Sequence, residues 1–266
     1  MSFYESIAPW YNYIFPLSLK KVEFVKNLSL KECPKVTETG CATGEFALAL
    51  KQKGCKVFGF DLDEEMIKAS LIAVSDLTKN ESTNTLAGSE SKIDFRVLNM
   101  LELDKEPLAQ DNDIVCCFGN TLVHLQNLAQ IEEYIGAVYN TLLPQGIFTG
   151  QIVNYDRIIS HKAKGLPTID NSKICFKREY SCVNNTDYDN SVDCSDGILS
   201  INFTTRLFVK AENKTIENNI VLLALKKEIL QSVLQKAGFE DVTFYGNYNK
   251  DEWTLESGPT IFVAQK

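Results

Sequence analysis

Val36-Thr37-Glu38-Thr39-Gly40-Cys41-Ala42-Thr43-Gly44 is the stretch whose reading decides the fold of this chain. An apolar lead-in reaches an acidic residue, small residues then fall at every second place, and a helix-like run from Glu45 to Lys53 follows at once. A strand that ends in a tight small-residue turn and opens a helix lets a ligand lie against bare backbone. The next run, Cys55-Lys56-Val57-Phe58-Gly59-Phe60, reads as a second strand ending on Asp61. An acidic side chain there, about 20 residues beyond the turn, is placed to hydrogen-bond ribose hydroxyls. A nucleotide-free strand–turn–helix with a surface Asp is the plainer alternative; the agreement of turn, spacing and acid weighs against it.

Working outward, Tyr4 to Val25 reads as helical, with Tyr4, Trp10, Tyr11 and Phe15 at helix-like intervals. A helix over Asp63–Leu77 precedes the polar stretch Thr78–Lys92, which is expected to be an exposed, mobile loop because it has almost nothing apolar to bury. A third strand, Ile93–Leu98, ends at Asn99-Met100, and a fourth, Asp113–Phe118, leads into Gly119-Asn120-Thr121-Leu122-Val123-His124-Leu125. A helix over Leu128–Leu143 gives way to Pro144-Gln145-Gly146 and a fifth strand, Ile147–Val153. The repeating strand–helix order predicts an α/β fold, a parallel sheet with helices on both faces. Then the pattern changes: Ile174–Tyr180, Ile198–Lys210 and Thr215–Ala224 read as antiparallel strands, the last two joined by a hairpin. The core resumes with a helix over Lys226–Ala237, stopped by Gly238, and the strands Asp241–Tyr245 and Thr260–Ala264. This divides the chain into a core, 1–159 with 225–266, and inserted strands, 160–224, expected to serve as substrate lid or oligomer contact.

The 266 residues carry a net charge of -8 with no dominant basic cluster. An acidic domain without a basic stripe argues against a nucleic-acid substrate and toward a small molecule. No apolar run is long enough to span a membrane, and the N-terminus lacks the basic start and apolar core of a signal peptide. Eight cysteines without a Cys-x-x-Cys, and two distant histidines, read as a reduced, cytoplasmic pattern with no metal site.

The motif Glu38-x-Gly40-x-Ala42-x-Gly44 resembles the acidic-x-Gly-x-Gly-x-Gly turn of the class I S-adenosylmethionine-dependent methyltransferases, with one added methyl group at Ala42. Asp61-Leu62-Asp63-Glu64-Glu65-Met66 resembles their pattern after the second strand. The resemblance implies a Rossmann-like, seven-stranded, mostly parallel sheet plus the antiparallel insertion, with S-adenosyl-L-methionine as cofactor. It implies cofactor contacts from Tyr11, Glu38, Gly40, Ala42, Gly44, Asp61, Leu62, Asn99, Met100 and Phe118. Asn99 stands where the family commonly has an Asp on the adenine amino group, and Tyr4-x-x-Ile7-Ala8-x-x-Tyr11 looks like a lid over the cofactor. A dinucleotide dehydrogenase, the nearest competitor, wants a different glycine spacing for its pyrophosphate.

Gly119-Asn120-Thr121-x-x-His124-Leu125 and Asn154-Tyr155-Asp156 are similar to motifs of the glycine/sarcosine N-methyltransferase branch. Asn120, His124 and Tyr155 are accordingly the candidate catalytic residues; capping for Asn120 and core packing for His124 and Tyr155 are their plainer roles. In that branch an Arg precedes Asn-Tyr-Asp and holds the glycine carboxylate. Here the position is Val153, so glycine is not the expected acceptor unless Arg157 or Arg178 takes the role. The expected activity is methyl transfer to a small molecule, an amine before an oxygen or carbon acceptor. A tRNA- or protein-modifying methyltransferase and a non-catalytic S-adenosylmethionine-binding protein are the alternatives, and a homo-oligomer is left open.

Overall fold

The computed structural model describes residues 3–81, 93–182 and 199–266. The N-terminal segment is not one helix. It divides into α1 (Phe3–Ile7), a 3-10 turn (Ala8–Trp10), α2 (Tyr11–Ile14) and α3 (Leu19–Lys26). Pro16 has no N–H to donate and pushes Phe15 out of helical geometry, to ψ 71°. Ser18 then restarts the helix by accepting a hydrogen bond from the Lys21 N–H at 3.3 Å.

The strands β1 (Lys35–Thr39), β2 (Lys56–Asp61) and β3 (Ile93–Val97) alternate with helices α4 (Glu45–Gln52) and α5 (Glu64–Glu81). Helix α5 runs through Thr78–Glu81, four residues expected in the loop, because polarity alone does not stop a helix and no Gly or Pro intervenes before Gly88. The remainder of that expected loop, 82–92, lies outside the described residues. Strand β4 (Asn112–Cys117), helix α6 (Leu128–Thr141) and strand β5 (Leu142–Val153) follow. Pro144-Gln145-Gly146 does not precede β5 but forms an irregularity within it. The β4–β5 register shifts between Asn112 and Ile114, and Gln145 takes φ 65°.

Next come α7 (Tyr155–Ser160), β6 (Gly165–Asp170), β7 (Ile174–Cys182), β8 (Leu199–Val209) and β9 (Lys214–Ala224). Helix α8 (Lys227–Lys236), β10 (Asp241–Tyr245) and β11 (Pro259–Gln265) end the chain. Helix α7 and strand β6 were not anticipated: six-residue elements carry too little periodicity to announce themselves.

The main sheet has seven strands in the order β10-β11-β5-β4-β1-β2-β3, all parallel except for the pairs that β11 makes with β5 and β10. The central strand β4 is apolar on both faces from Ile114 to Cys117, as a doubly covered parallel sheet requires. Ile114 and Cys116 of β4 join a core with α3 and α4, while Val115 and Cys117 join a core with α6 and α8. The chain order reverses between β1 and β4, and the crevice that opens at their C-terminal ends is where such sheets bind ligands.

The second sheet is the antiparallel meander β6-β7-β8-β9. One end of it shares the main core through Tyr180, Ile201 and Leu222. Its other end packs Ile174, Phe176, Leu207 and Val209 against Ile7 and Ile14 of the N-terminal helices. That contact brings the N-terminal segment and the inserted strands to the same edge of the main sheet.

Candidate active site

The turn after β1 is held from within. The Gly40 and Cys41 N–H groups donate to the Phe60 carbonyl at 2.8 and 2.9 Å, and the Gly44 N–H donates to the Cys41 carbonyl at 2.9 Å. The Ala42 N–H donates to Asp61 Oδ2 at 2.9 Å, while Asp61 Oδ1 accepts from the Asp63 N–H at 3.0 Å. With these amides engaged, the turn is not the phosphate cradle that a dinucleotide needs. Gly40 and Gly44 have φ of 69° and 78°, and a Cβ at either would fall under 3 Å from Thr121 or from Phe95 and Ser70. Packing within the protein therefore demands these glycines. The backbone left bare for a ligand is Gly119, at φ 69°, where an added Cβ would meet no atom within 4 Å.

Two cavities open at this edge. The smaller, about 380 Å³, is lined by Asp61, Leu62, Asn99 and Met100 together with Phe60, Leu98, Leu125 and Ile220. The larger, about 470 Å³, has Lys21, Glu38, Phe118, Asn120 and Val153 on the main-sheet side and Leu166, Phe176, Arg178, Tyr180 and Phe203 on the second sheet. Tyr4, Tyr11, Gly40, Ala42, Gly119 and His124 line both. The N-terminal segment is tied down over the turn, since Thr43 Oγ1 donates to Asn12 Oδ1 at 2.6 Å.

Glu38 is only 4% exposed, and its Oε2 has no hydrogen-bond partner among the described residues. Burial pushes its carboxyl up to about 8, against the nearby Lys21 ammonium, which holds it down. Burial in turn lowers Lys21, whose Nζ sits 4.1 Å from the centroid of the Phe46 ring. Asp61 is raised by burial, opposed by the backbone N–H groups of Asp63 and Ala42. His124 Nε2 lies 2.9 Å from Tyr4 Oη, and burial lowers its imidazole to about 4, so the ring is neutral at pH 7.

The structure thus gathers Tyr11, Glu38, Gly40, Ala42, Asp61, Leu62, Asn99, Met100, Phe118, Asn120 and His124 around the two cavities. Gly44 and Tyr155 line neither. Tyr155 is fully buried and accepts from Asn120 Nδ2 at 2.9 Å, while Asn120 Oδ1 accepts from the Val153 N–H at 2.9 Å. Asn99 Oδ1 accepts from the Leu101 N–H at 3.1 Å, capping the 3-10 helix Met100–Lys105. Arg157 lies away from the cavities and donates to the Glu256 carbonyl. Lys21 and Asn12 carry no motif that would mark them in the sequence, whereas Gly119 stands within Phe118-Gly119-Asn120 at the expected ligand edge.

Residues 36–146 match the family model described as "Methyltransferase domain". The glycine/sarcosine N-methyltransferase of Aphanothece halophytica is 21% identical over 243 residues, 91% of this chain and 80% of that protein. YqeM of Bacillus subtilis (strain 168) is 29% identical over 119 residues, and there the match spans only 45% of this chain and 42% of the relative. Among solved structures, an S-adenosylmethionine-dependent methyltransferase from Clostridium acetobutylicum ATCC 824 superposes with a TM-score of 0.71 at 14% identity, covering 99% of each chain. An amino pentose methyltransferase from Micromonospora echinaspora, with S-adenosylmethionine bound, superposes with a TM-score of 0.61 at 13% identity, covering 100% of this chain and 97% of that one. The match over residues 36–146, with these relatives and structural neighbours, supports a class I S-adenosylmethionine-dependent methyltransferase.

The residues present fit that cofactor. Its methionyl end is a zwitterion, and the site offers a buried Glu38 carboxyl oxygen without a partner among the described residues beside the half-buried ammonium of Lys21. Asp61 has lone pairs to spare beyond its two backbone bonds, which suits ribose hydroxyls. Between these ends, Gly119 leaves the room that a Cβ would take. Gly119→Ala is therefore expected to cost only about 1 kcal/mol of stability, the strain of a left-handed Ala. It should weaken S-adenosylhomocysteine binding at least tenfold; unchanged calorimetric affinity would show that no ligand lies there.

Proposed function

We propose that the protein transfers the methyl group of S-adenosylmethionine to a nitrogen of a small organic molecule held in the larger cavity. One observation carries this reading: the two cavities meet at Tyr4, Tyr11, Gly40, Ala42, Gly119 and His124, so a cofactor occupying the smaller one extends into the larger. The similarity to a glycine/sarcosine N-methyltransferase and to an amino pentose methyltransferase supports an amine acceptor. The division into a core, 1–159 with 225–266, and inserted strands, 160–224, gains a role here: the insertion walls the acceptor cavity.

When bound, S-adenosylmethionine would supply a methyl carbon already activated by its sulfonium and open to an acceptor lone pair. The protein's work is alignment and exclusion of water. Tyr4 and Tyr11 close the junction from the N-terminal side, and Asn120 fixes the ends of β4 and β5 relative to each other. Lowered to about 4, His124 is a weak base, suited to holding Tyr4 by a hydrogen bond more than to stripping an ammonium. An amine acceptor then gives up its proton to water before the pocket closes on it.

The test is calorimetry with S-adenosylmethionine and S-adenosylhomocysteine, expected near micromolar affinity, about -8 kcal/mol. A labelled-methyl assay over small amines, glycine and sarcosine included, then follows. No heat with either ligand overturns the reading. Methylation confined to tRNA, with affinity falling steeply in salt, would replace the small molecule by a nucleic acid.

A further inference from the structure

We propose that Arg178 anchors a carboxylate of the methyl acceptor, and that an apolar body separates this carboxylate from the nitrogen that is methylated. The proposal rests on the methyl-transfer reading above. Strand β7 alternates, and Ile174, Phe176 and Tyr180 on its inward face are each at most 5% exposed. Arg178 shares that face, paired in register with Leu166 on β6 and with Thr205 on β8. A guanidinium on an apolar face is costly unless an anion answers it.

No carboxylate answers it among the described residues. Nη2 donates to the Pro167 carbonyl at 2.7 Å, which fixes the guanidinium, and the buried Nε has no partner. Arg206 makes the contrast: on the outward face of the same sheet it pairs with both Glu179 and Glu217. Among the described residues, carboxylates meet the arginine in solvent and none meets the one in the cavity. Burial also works against the charge of Arg178, so an anion binding there relieves a cost already present.

The surroundings define the rest of the acceptor. Arg178 lines the larger cavity with Phe176, Tyr180, Phe203 and Val153, and it does not line the smaller one. Its guanidinium carbon lies 5.8 Å from the Phe176 ring centroid. A planar carboxylate matches the fixed guanidinium fork, and the aromatic wall suits an apolar body larger than that of glycine.

The experiment uses the full chain saturated with S-adenosylhomocysteine, whose own binding heat is read first. Absence of that heat refutes the methyl-transfer reading separately. Phenylacetate, its neutral amide phenylacetamide and phenyl phosphate are then titrated as probes. Phenylacetate should bind at least tenfold more tightly than the amide. Arg178→Met should weaken phenylacetate at least thirtyfold, change S-adenosylhomocysteine affinity less than twofold, and leave the ligand-free melting temperature equal or higher. Arg178→Lys, which keeps the charge and loses the fork, should recover part of the phenylacetate affinity, and it decides the matter should the Met variant not fold. Equal binding of acid and amide, no heat from either, or full phenylacetate affinity in both variants overturns the proposal. A parallel loss of S-adenosylhomocysteine affinity assigns Arg178 to the cofactor instead, and a preference for phenyl phosphate refutes the carboxylate.

Discussion

Glu38→Gln is expected to weaken S-adenosylhomocysteine binding by about 2–4 kcal/mol, roughly 30- to 1000-fold, because it removes one member of a buried charge pair with the ligand ammonium. The same substitution should make the ligand-free protein more stable at pH 8. Glu38 has a folded pKa of about 8 against an ordinary 4.5, so between those values the folded chain holds a proton that the unfolded chain has released. Stability contributed by this group is full below about pH 4.5 and is lost as pH rises toward 8. Gln does not titrate, so the variant should gain on the parent by about 1–3 kcal/mol over that interval, the scale of a buried unsatisfied polar group. A group that destabilises the empty fold and is answered by the ligand is the usual form of a stability–function conflict.

Binding carries the matching signature. A cation placed against Glu38 Oε2 lowers the carboxyl, so association releases a proton near pH 7, and affinity should rise from pH 6 to 7.5 by up to about tenfold per unit. Calorimetry in two buffers of different ionisation enthalpy reads the proton directly. A heat that is the same in both buffers, with an affinity flat in pH, means that Glu38 does not meet the ligand cation. In Glu38→Gln the pH slope should vanish.

Local periodicity accounts for what the sequence made legible. β1, its turn, α4, β2 and Asp61 are contiguous, and their spacing of two and of about three and a half residues is written in the order of side chains. The face of Arg178 was equally readable, since Ile174, Phe176, Arg178 and Tyr180 alternate with Cys175, Lys177 and Glu179. That the face closes over the C-terminal ends of β1 and β4 was not readable. It depends on Ile7 and Ile14 packing against β7 and β8 more than a hundred residues away. The pairing of Thr43 with Asn12 and of His124 with Tyr4 was hidden for the same reason. The glycines also carry a packing role that their spacing does not show: the missing side chains of Gly40 and Gly44 make room for Thr121, Phe95 and Ser70, and the open backbone is Gly119.

Asn120→Ala is expected to destabilise the fold by about 3 kcal/mol before it affects any chemistry. It strips the acceptor from the Val153 N–H and the hydrogen-bond partner from the buried Tyr155 hydroxyl, each loss on the order of 1–3 kcal/mol. It also sets Ala at φ 70°, which adds about 1 kcal/mol. Tyr155→Phe removes one of the same bonds, so the two substitutions together should cost less than their sum. Asn120→Asp is the informative control. Its carboxylate still accepts from the Val153 N–H, the Tyr155 hydroxyl can rotate to donate, and Asp tolerates the left-handed backbone. Urea midpoints for the three variants and the double variant, measured beside methyl-transfer rates, separate the roles. If Asn120 joins the ends of β4 and β5, rate and stability fall together in Asn120→Ala and both return in Asn120→Asp. An Asn120→Ala protein with an unchanged midpoint and no turnover would instead put this side chain in direct contact with the acceptor.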